Sequence, residues 1–245
     1  MTQLTFDKYR RQGAYHWEEC DLNSKSFNPP LIARYWALAR EVLGARRILD
    51  IGSGDGYLSS LLSGADVDVI GIENDSCAVK IAANKLVDSC RCEVIRGNCY
   101  QLPIASDTCD AVVMADVIEH LEDPNLALGE ATRVLVPYGK LALTTPKWRP
   151  DRVWDKLHVQ EFKSYELRKL LETWFERVEI RYFWPLRWSK FYSTRLGWRA
   201  TKIYARHVSN PFMRLGSDER RFGQMLAVCT GRKRPVNRHT ERLLT

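Results

Sequence analysis

An α/β fold, with a mostly parallel sheet of seven strands and helices on both of its faces, is the architecture that this sequence of 245 residues predicts. Two observations carry the prediction. From residue 47 to residue 145, short apolar runs alternate with stretches whose apolar residues recur at helical spacing, the pattern of parallel strands linked by crossover helices. The first apolar run ends in a glycine-rich turn that opens a helix, where backbone N–H groups are free to meet a ligand. A chain of this length buries roughly 70–75% of its unfolded surface. A single domain is therefore expected over 1–245.

Each element has its own local reason. Residues 1–30 are polar and aromatic and end in Asn28-Pro29-Pro30. Proline holds the residue before it extended, so a helix is expected to start near Pro30 and to run through LIARYWALAREVL (31–43). RILDIG (47–52) reads as a buried strand, followed by a helix from about Gly56 to Leu62. DVIGIE (68–73), CEVIRG (92–97), DAVVMAD (110–116) and KLALTT (140–145) read as the next four strands. CAVKIAANKLV (77–87) and NLALGEATRVL (125–135) are the helices among them, and Pro137-Tyr138-Gly139 reads as a turn. SYELRKLLETW (164–174) is expected to be a helix with Ser164 as its N-cap. RVEIRYF (177–183) and QMLAVCTG (224–231) supply the last two strands.

Between those two strands lies an insertion, residues 184–223, with eight aromatic residues and nine Lys+Arg against two acids. The expected map is an N-terminal helical lid over 1–43, a core made of 44–183 and 224–233, the basic aromatic insertion over 184–223, and a frayed polar tail over 234–245.

The net charge of +7 is unevenly spread. Residues 1–146 carry 14 Lys+Arg against 20 Asp+Glu, and residues 147–245 carry 23 against 10. The later half is suited to an anionic partner, or presents a solvated basic face. The seven cysteines form no CxxC pair and there is no HExxH, so reduced thiols and no metal site are expected. No apolar run approaches the ~18–20 residues of a membrane span, and the N-terminus has no signal-peptide h-region. A cytoplasmic protein is expected, with 184–223 as a point of peripheral contact with an anionic membrane.

The chemistry concentrates in Leu49-Asp50-Ile51-Gly52-Ser53-Gly54-Asp55-Gly56. A dinucleotide fingerprint needs G-x-G-x-x-G, and here Tyr57 stands at the third glycine position. Glu73 ends the second strand, where a carboxylate can accept both hydroxyls of a ribose. Turn and acid together indicate a nucleoside-containing cofactor.

With GNCYQLP (97–103), DAVVMADVIEHL (110–121) and RVLVPYGKLALTTP (133–146), the pattern resembles the class I S-adenosylmethionine-dependent methyltransferases over roughly residues 40–183 and the last strand. The run from Asp107 to Gly139 is most similar to the small-molecule group that includes ubiquinone-pathway and glycan- or lipid-modifying enzymes. The resemblance implies a Rossmann-like sheet of order 3-2-1-4-5-7-6 with an antiparallel last strand. It implies S-adenosylmethionine as cofactor, with Gly52, Ser53 and Gly54 passing under its methionine part and Asp50 near its amino group. Glu73 takes the ribose, Asn74, Asn98 and Cys99 the adenine, and Ala115 and Asp116 lie near the methionine amine and the methyl group.

Methyl transfer needs a nucleophile in line behind an already activated methyl, and a base only where a proton must leave. His120, after the fourth strand, and His158, in the loop after the fifth, are the candidate catalytic residues. The alternative for His120 is a packing or cofactor-lining residue, and for His158 a hydrogen-bonded loop residue. Glu119 precedes His120 on the same loop. Tyr9, Tyr15, His16 and Trp17 are read as a lid or as plain packing, and Arg34 as a surface arginine, with reach to a carboxylate as its alternative. Asn28-Pro29-Pro30-Leu31 lacks the aromatic of an amino-methylating DNA enzyme, and no Pro-Cys pair follows the fourth strand.

The expected function is S-adenosylmethionine-dependent methyl transfer, with oxygen the favoured acceptor atom, to a small-molecule, glycan or lipid-linked acceptor. The alternatives are a non-catalytic S-adenosylmethionine- or nucleoside-binding partner protein and an RNA methyltransferase. Nucleic acid is the least favoured partner, because no RNA-binding module is visible. The insertion reads as an extra helical layer, a pocket cap, a membrane contact or a grip on a phosphorylated acceptor.

Overall fold

The computed structural model describes residues 7–233; the tail expected over 234–245 lies outside the described residues. Two short helices come first, α1 (Lys8–Gln12) and α2 (Tyr15–Cys20), then α3 (Pro29–Glu41). The alternating part runs β1 (Arg47–Ile51), α4 (Tyr57–Leu62), β2 (Asp68–Glu73), α5 (Ser76–Lys85), β3 (Cys92–Arg96), β4 (Cys109–Ala115), α6 (Pro124–Val134) and β5 (Leu135–Pro146). It continues through α7 (Ser164–Glu172), β6 (Phe175–Pro185), α8 (Leu186–Tyr192), α9 (Arg195–His207) and β7 (Phe222–Arg232).

The sheet order is β3-β2-β1-β4-β5-β7-β6, with β7 antiparallel to both neighbours and the other pairs parallel. Strand alternation sends neighbours in sequence to opposite cores. Ile48, Val69, Ala111 and Val113 pack with Leu38 of α3, Leu58 of α4 and Ala82 of α5. Leu49, Ile51, Val112 and Met114 pack with Leu128 of α6 and Leu167 of α7 on the other face.

Caps set the helix starts. Asp75 accepts the N–H groups of Cys77 and Ala78 ahead of α5, and Asp123 those of Asn125 and Leu126 ahead of α6. Asn28 is extended and Pro29 opens α3, one residue earlier than the proline rule suggested.

Two local expectations are corrected. Pro137-Tyr138-Gly139 is no free turn, because β5 begins at Leu135, which pairs with Cys109, and the register slips before Ala111 pairs with Lys140. The turn residues therefore form a bulge, and Gly139 fits there because a Cβ would lie 2.9 Å from the Leu135 side chain and 3.1 Å from the Asp110 carbonyl oxygen. Ser164 is the first residue of α7 rather than its cap. The turn is closed by Glu166, which accepts the Lys163 N–H at 2.9 Å, while the Ser164 hydroxyl donates to Glu219.

The insertion divides its aromatics. Phe212 is fully buried, edge-on to Trp184 and Tyr192. Lys202 of α9 donates to the Lys25 carbonyl oxygen at 2.9 Å, and Asn210 to that of Pro29 at 2.7 Å, so the segment is tied to the N-terminal region. Phe191, Leu196, Trp198 and Ile203 remain exposed.

Candidate active site

A cavity of about 710 Å³ opens where β1, β2 and β4 end, beside the point at which the strand order reverses direction. Ligands of open parallel sheets bind at such points. Of the twelve site residues expected from sequence, eleven line it: Asp50, Gly52, Ser53, Glu73, Asn74, Asn98, Cys99, Ala115, Asp116, His120 and His158. Gly54 stands back behind Tyr9.

The turn after β1 is built on left-handed glycines. Gly52 has φ +73° and Gly54 φ +57°. A Cβ on Gly52 would lie 2.5 Å from Val117, and one on Gly54 would overlap the Tyr9 hydroxyl. The N–H groups of Gly52 and Ser53 both donate to the Ile72 carbonyl oxygen, at 2.8 and 3.2 Å, which fastens the turn to the end of β2. Glu73 then accepts the Gly54 N–H at 2.9 Å and the Asp75 N–H at 2.8 Å. Each carboxylate oxygen has a second lone pair, so two hydroxyl donors still fit. Burial pushes the Glu73 carboxyl above its ordinary range against the pull of these N–H groups.

Asp50 is fully buried and accepts the Ser59 hydroxyl at 2.7 Å on Oδ2. Its Oδ1 has no hydrogen-bond partner among the described residues, and neither does Ser53 Oγ. Burial pushes the Asp50 carboxyl up to about 7. Both groups lie on the cavity wall, where a ligand donor would satisfy them. Asn98 already uses its Oδ1 to accept the Tyr100 N–H at 2.9 Å, in an Asx turn.

The N-terminal aromatics come to the same place. His16 Nδ1 lies 3.0 Å from Asp55 Oδ1, the His16 N–H donates to Asp55 Oδ2, and Trp17 Nε1 donates to the Asp55 carbonyl oxygen at 2.9 Å. Asp55 thus clamps α2 onto the glycine turn. Sequence reasoning assigned Asp55 no role of its own.

Arg34 is corrected from a surface residue to a cavity residue. Its guanidinium lies 2.9 Å from Asp116, which also accepts Thr144 Oγ1 at 2.7 Å and Gln224 Nε2 at 3.0 Å. Asp116 itself is in the left-handed region at φ +52°, unusual outside glycine. Arg34 sits on the inner stripe of α3, one turn before Leu38, and that periodicity was the available signal.

Glu119 is fully buried, with Oε2 accepting Thr145 Oγ1 at 2.9 Å. Burial, with Asp116 nearby, holds its carboxyl well above the usual range. Burial lowers the His120 pKa, assisted by the neighbouring His158, and the Leu157 carbonyl opposes the shift. The two imidazoles meet edge to face, with ring centroids 4.9 Å apart. Trp154 and Trp184, from the later half, close the same cavity.

A methyltransferase domain family profile matches residues 49–143. A probable S-adenosylmethionine-dependent methyltransferase of Mycolicibacterium smegmatis is 34% identical over 144 residues, 57% of this chain and 54% of that protein. A ubiquinone/menaquinone biosynthesis C-methyltransferase, UbiE, of Syntrophotalea carbinolica is 37% identical over 117 residues, 45% of this chain and 49% of that protein. The chain spans about half the length of these curated relatives. Among solved structures, a methyltransferase of Thermotoga maritima superposes with a TM-score of 0.63 at 18% identity, over 92% of this chain and 95% of that one, a likeness of fold.

Proposed function

We propose that this chain is an S-adenosylmethionine-dependent methyltransferase, as its likeness to that family over residues 49–143 supports, that its cavity binds S-adenosylmethionine and that it transfers the methyl group to an acceptor oxygen. The observation that carries the proposal is the meeting of a left-handed glycine turn, a strand-end Glu73 and an unsatisfied buried Asp50 Oδ1 around one cavity. The cofactor supplies a methyl already activated as a sulfonium. The volume suits a nucleoside-sized ligand, since such sites hold roughly 300–1,000 Å³.

The chain's own residues have definable work. Glu73 accepts the two ribose hydroxyls on its spare lone pairs. Gly52, Ser53 and Gly54 let the backbone pass close beneath the methionine portion, with Asp50 opposite its amino group. Asn74, Asn98 and Cys99 border the adenine, and Ala115 and Asp116 the methionine amine and methyl end. Tyr9, Tyr15 and His16 cover the cofactor and exclude water. His120 and His158 lie on the acceptor side, where a hydroxyl proton must be removed.

The acceptor is a hydroxyl of a small molecule, a glycan or a lipid-linked precursor. Exposed Leu196, Trp198 and Ile203 share α9 with Arg195 and Arg199, a combination that suits an anionic lipid surface. No helix among the described residues is long and apolar enough to cross a membrane. The test is incubation with methyl-labelled cofactor and panels of anionic lipids, glycan precursors, phenols and RNA. Label recovered in an ether or ester agrees with the proposal. Label on carbon or nitrogen refutes the oxygen assignment, and cofactor binding without turnover on any panel favours a binding protein.

A further inference from the structure

The loop that carries His158 is sewn to the turn that carries His120. The N–H groups of Val159 and Gln160 both donate to the Glu119 carbonyl oxygen, at 2.9 and 3.1 Å. As a result Glu119, His120 and His158 each offer one potential ligand atom, all within 4.8 Å of one another.

Two independent features show that this trio is prepared for a ligand. First, Glu119 Oε1 is buried with no hydrogen-bond partner among the described residues, although Oε2 is satisfied by Thr145. An unsatisfied buried acceptor is destabilising, so the site is incomplete as it stands. Second, both imidazoles are held from outside the trio through Nδ1. His120 Nδ1 lies 3.1 Å from the Leu157 carbonyl oxygen, which can only accept, so the proton is on Nδ1. His158 Nδ1 lies 3.0 Å from Glu161 Oε1, which is itself fixed by the Trp154 N–H at 2.7 Å. Histidines held in this way by a carbonyl and a carboxylate direct the Nε2 lone pair at a metal.

We propose that Glu119, His120 and His158 form a binding site for a divalent transition-metal cation, held by Oε1 and two Nε2 atoms, with its remaining positions open to the cavity. One oxygen and two imidazole donors suit zinc, manganese, iron or cobalt better than calcium or magnesium, which prefer all-oxygen shells. Bonds of about 2.0–2.2 Å put ligand atoms roughly 3–4 Å apart, so a pair separated by as much as 4.8 Å closes by about 1–2 Å on binding.

The ion's role rests on the proposed methyl transfer. An acceptor hydroxyl occupying an open position has its pKa lowered and releases its proton to solvent. An oxygen lone pair then forms the C–O bond as the C–S bond breaks. That bond's electron pair stays on sulfur, leaving a neutral thioether.

The experiment uses the full chain, stripped with chelator, dialysed and titrated with Co²⁺ without S-adenosylmethionine. Absorption spectroscopy and elemental analysis read the binding, and circular dichroism checks folding. The expected result is one equivalent of Co²⁺ with a d–d spectrum lacking a thiolate band. Glu119→Gln and His158→Ala should each lower affinity at least tenfold, and Glu161→Gln, which touches no metal, roughly 10–100-fold. No binding by folded wild-type chain to millimolar Co²⁺, Mn²⁺ or Zn²⁺, or binding unchanged in both ligand variants, overturns the site. Co²⁺ binding by a chain that ignores S-adenosylmethionine keeps the site and refutes the methyltransferase reading instead. Methylation unaffected by chelator overturns the ion's role in catalysis.

Discussion

Substituting Gly54 by Ala places a methyl group where Tyr9 already sits. The backbone there has φ +57°, and the new Cβ would overlap Tyr9 Oη and lie 3.0 Å from Cζ. Left-handed backbone costs an L-residue about 1–2 kcal/mol. Pushing aside a ring that is only 6% exposed adds an overpacking cost of about 1–3 kcal/mol. The single variant should therefore lose roughly 2–5 kcal/mol of stability. Tyr9→Phe alone removes a buried hydroxyl beside Tyr15, a loss of about 1 kcal/mol. Combined with Gly54→Ala it also removes the overlapping atom. The double variant should then recover about 1–3 kcal/mol relative to additivity. Urea denaturation of the four proteins of the cycle measures this coupling. Additivity within about 0.5 kcal/mol would refute the claim that α1 rests on the glycine turn.

Other perturbations probe the rest of the account. Glu73→Ala should weaken S-adenosylmethionine binding by about 1–3 kcal/mol in calorimetry, and unchanged affinity removes the ribose assignment. Because Asp50 titrates near 7 in the free protein and the bound amine favours its ionised form, affinity should fall as pH drops below 7, by up to about tenfold per unit. A flat profile between pH 5.5 and 8 contradicts that pairing. Arg34→Met leaves Asp116 with only Thr144 and Gln224 and should cost about 2–4 kcal/mol in denaturation, against no loss if the ion pair is idle. Wild-type chain should sediment with anionic but not neutral vesicles, and Leu196→Ser with Ile203→Ser should abolish this; equal sedimentation of the variant excludes α9 as the contact.

The strands were legible as short apolar runs between helical stretches, since the inner strands are buried on both faces, and their order came from the family resemblance alone. The misreadings have physical causes. Proline and glycine at 137–139 signal a turn locally, yet pairing of β5 with β4 absorbs them as a bulge. Ser164 is a good cap in isolation, but Glu166 closes that turn instead. Asp55 was invisible because its partners, His16 and Trp17, are brought to it by tertiary packing. The trio of Glu119, His120 and His158 has no local spacing to betray it, since two loop hydrogen bonds assemble it.

Calorimetric titration with S-adenosylmethionine and S-adenosylhomocysteine, with NAD and ATP as controls, tests the central claim most directly. The site described here predicts one equivalent of either adenosyl ligand bound selectively, with NAD and ATP silent. A folded chain that takes up neither adenosyl ligand, or that binds NAD equally well, contradicts it.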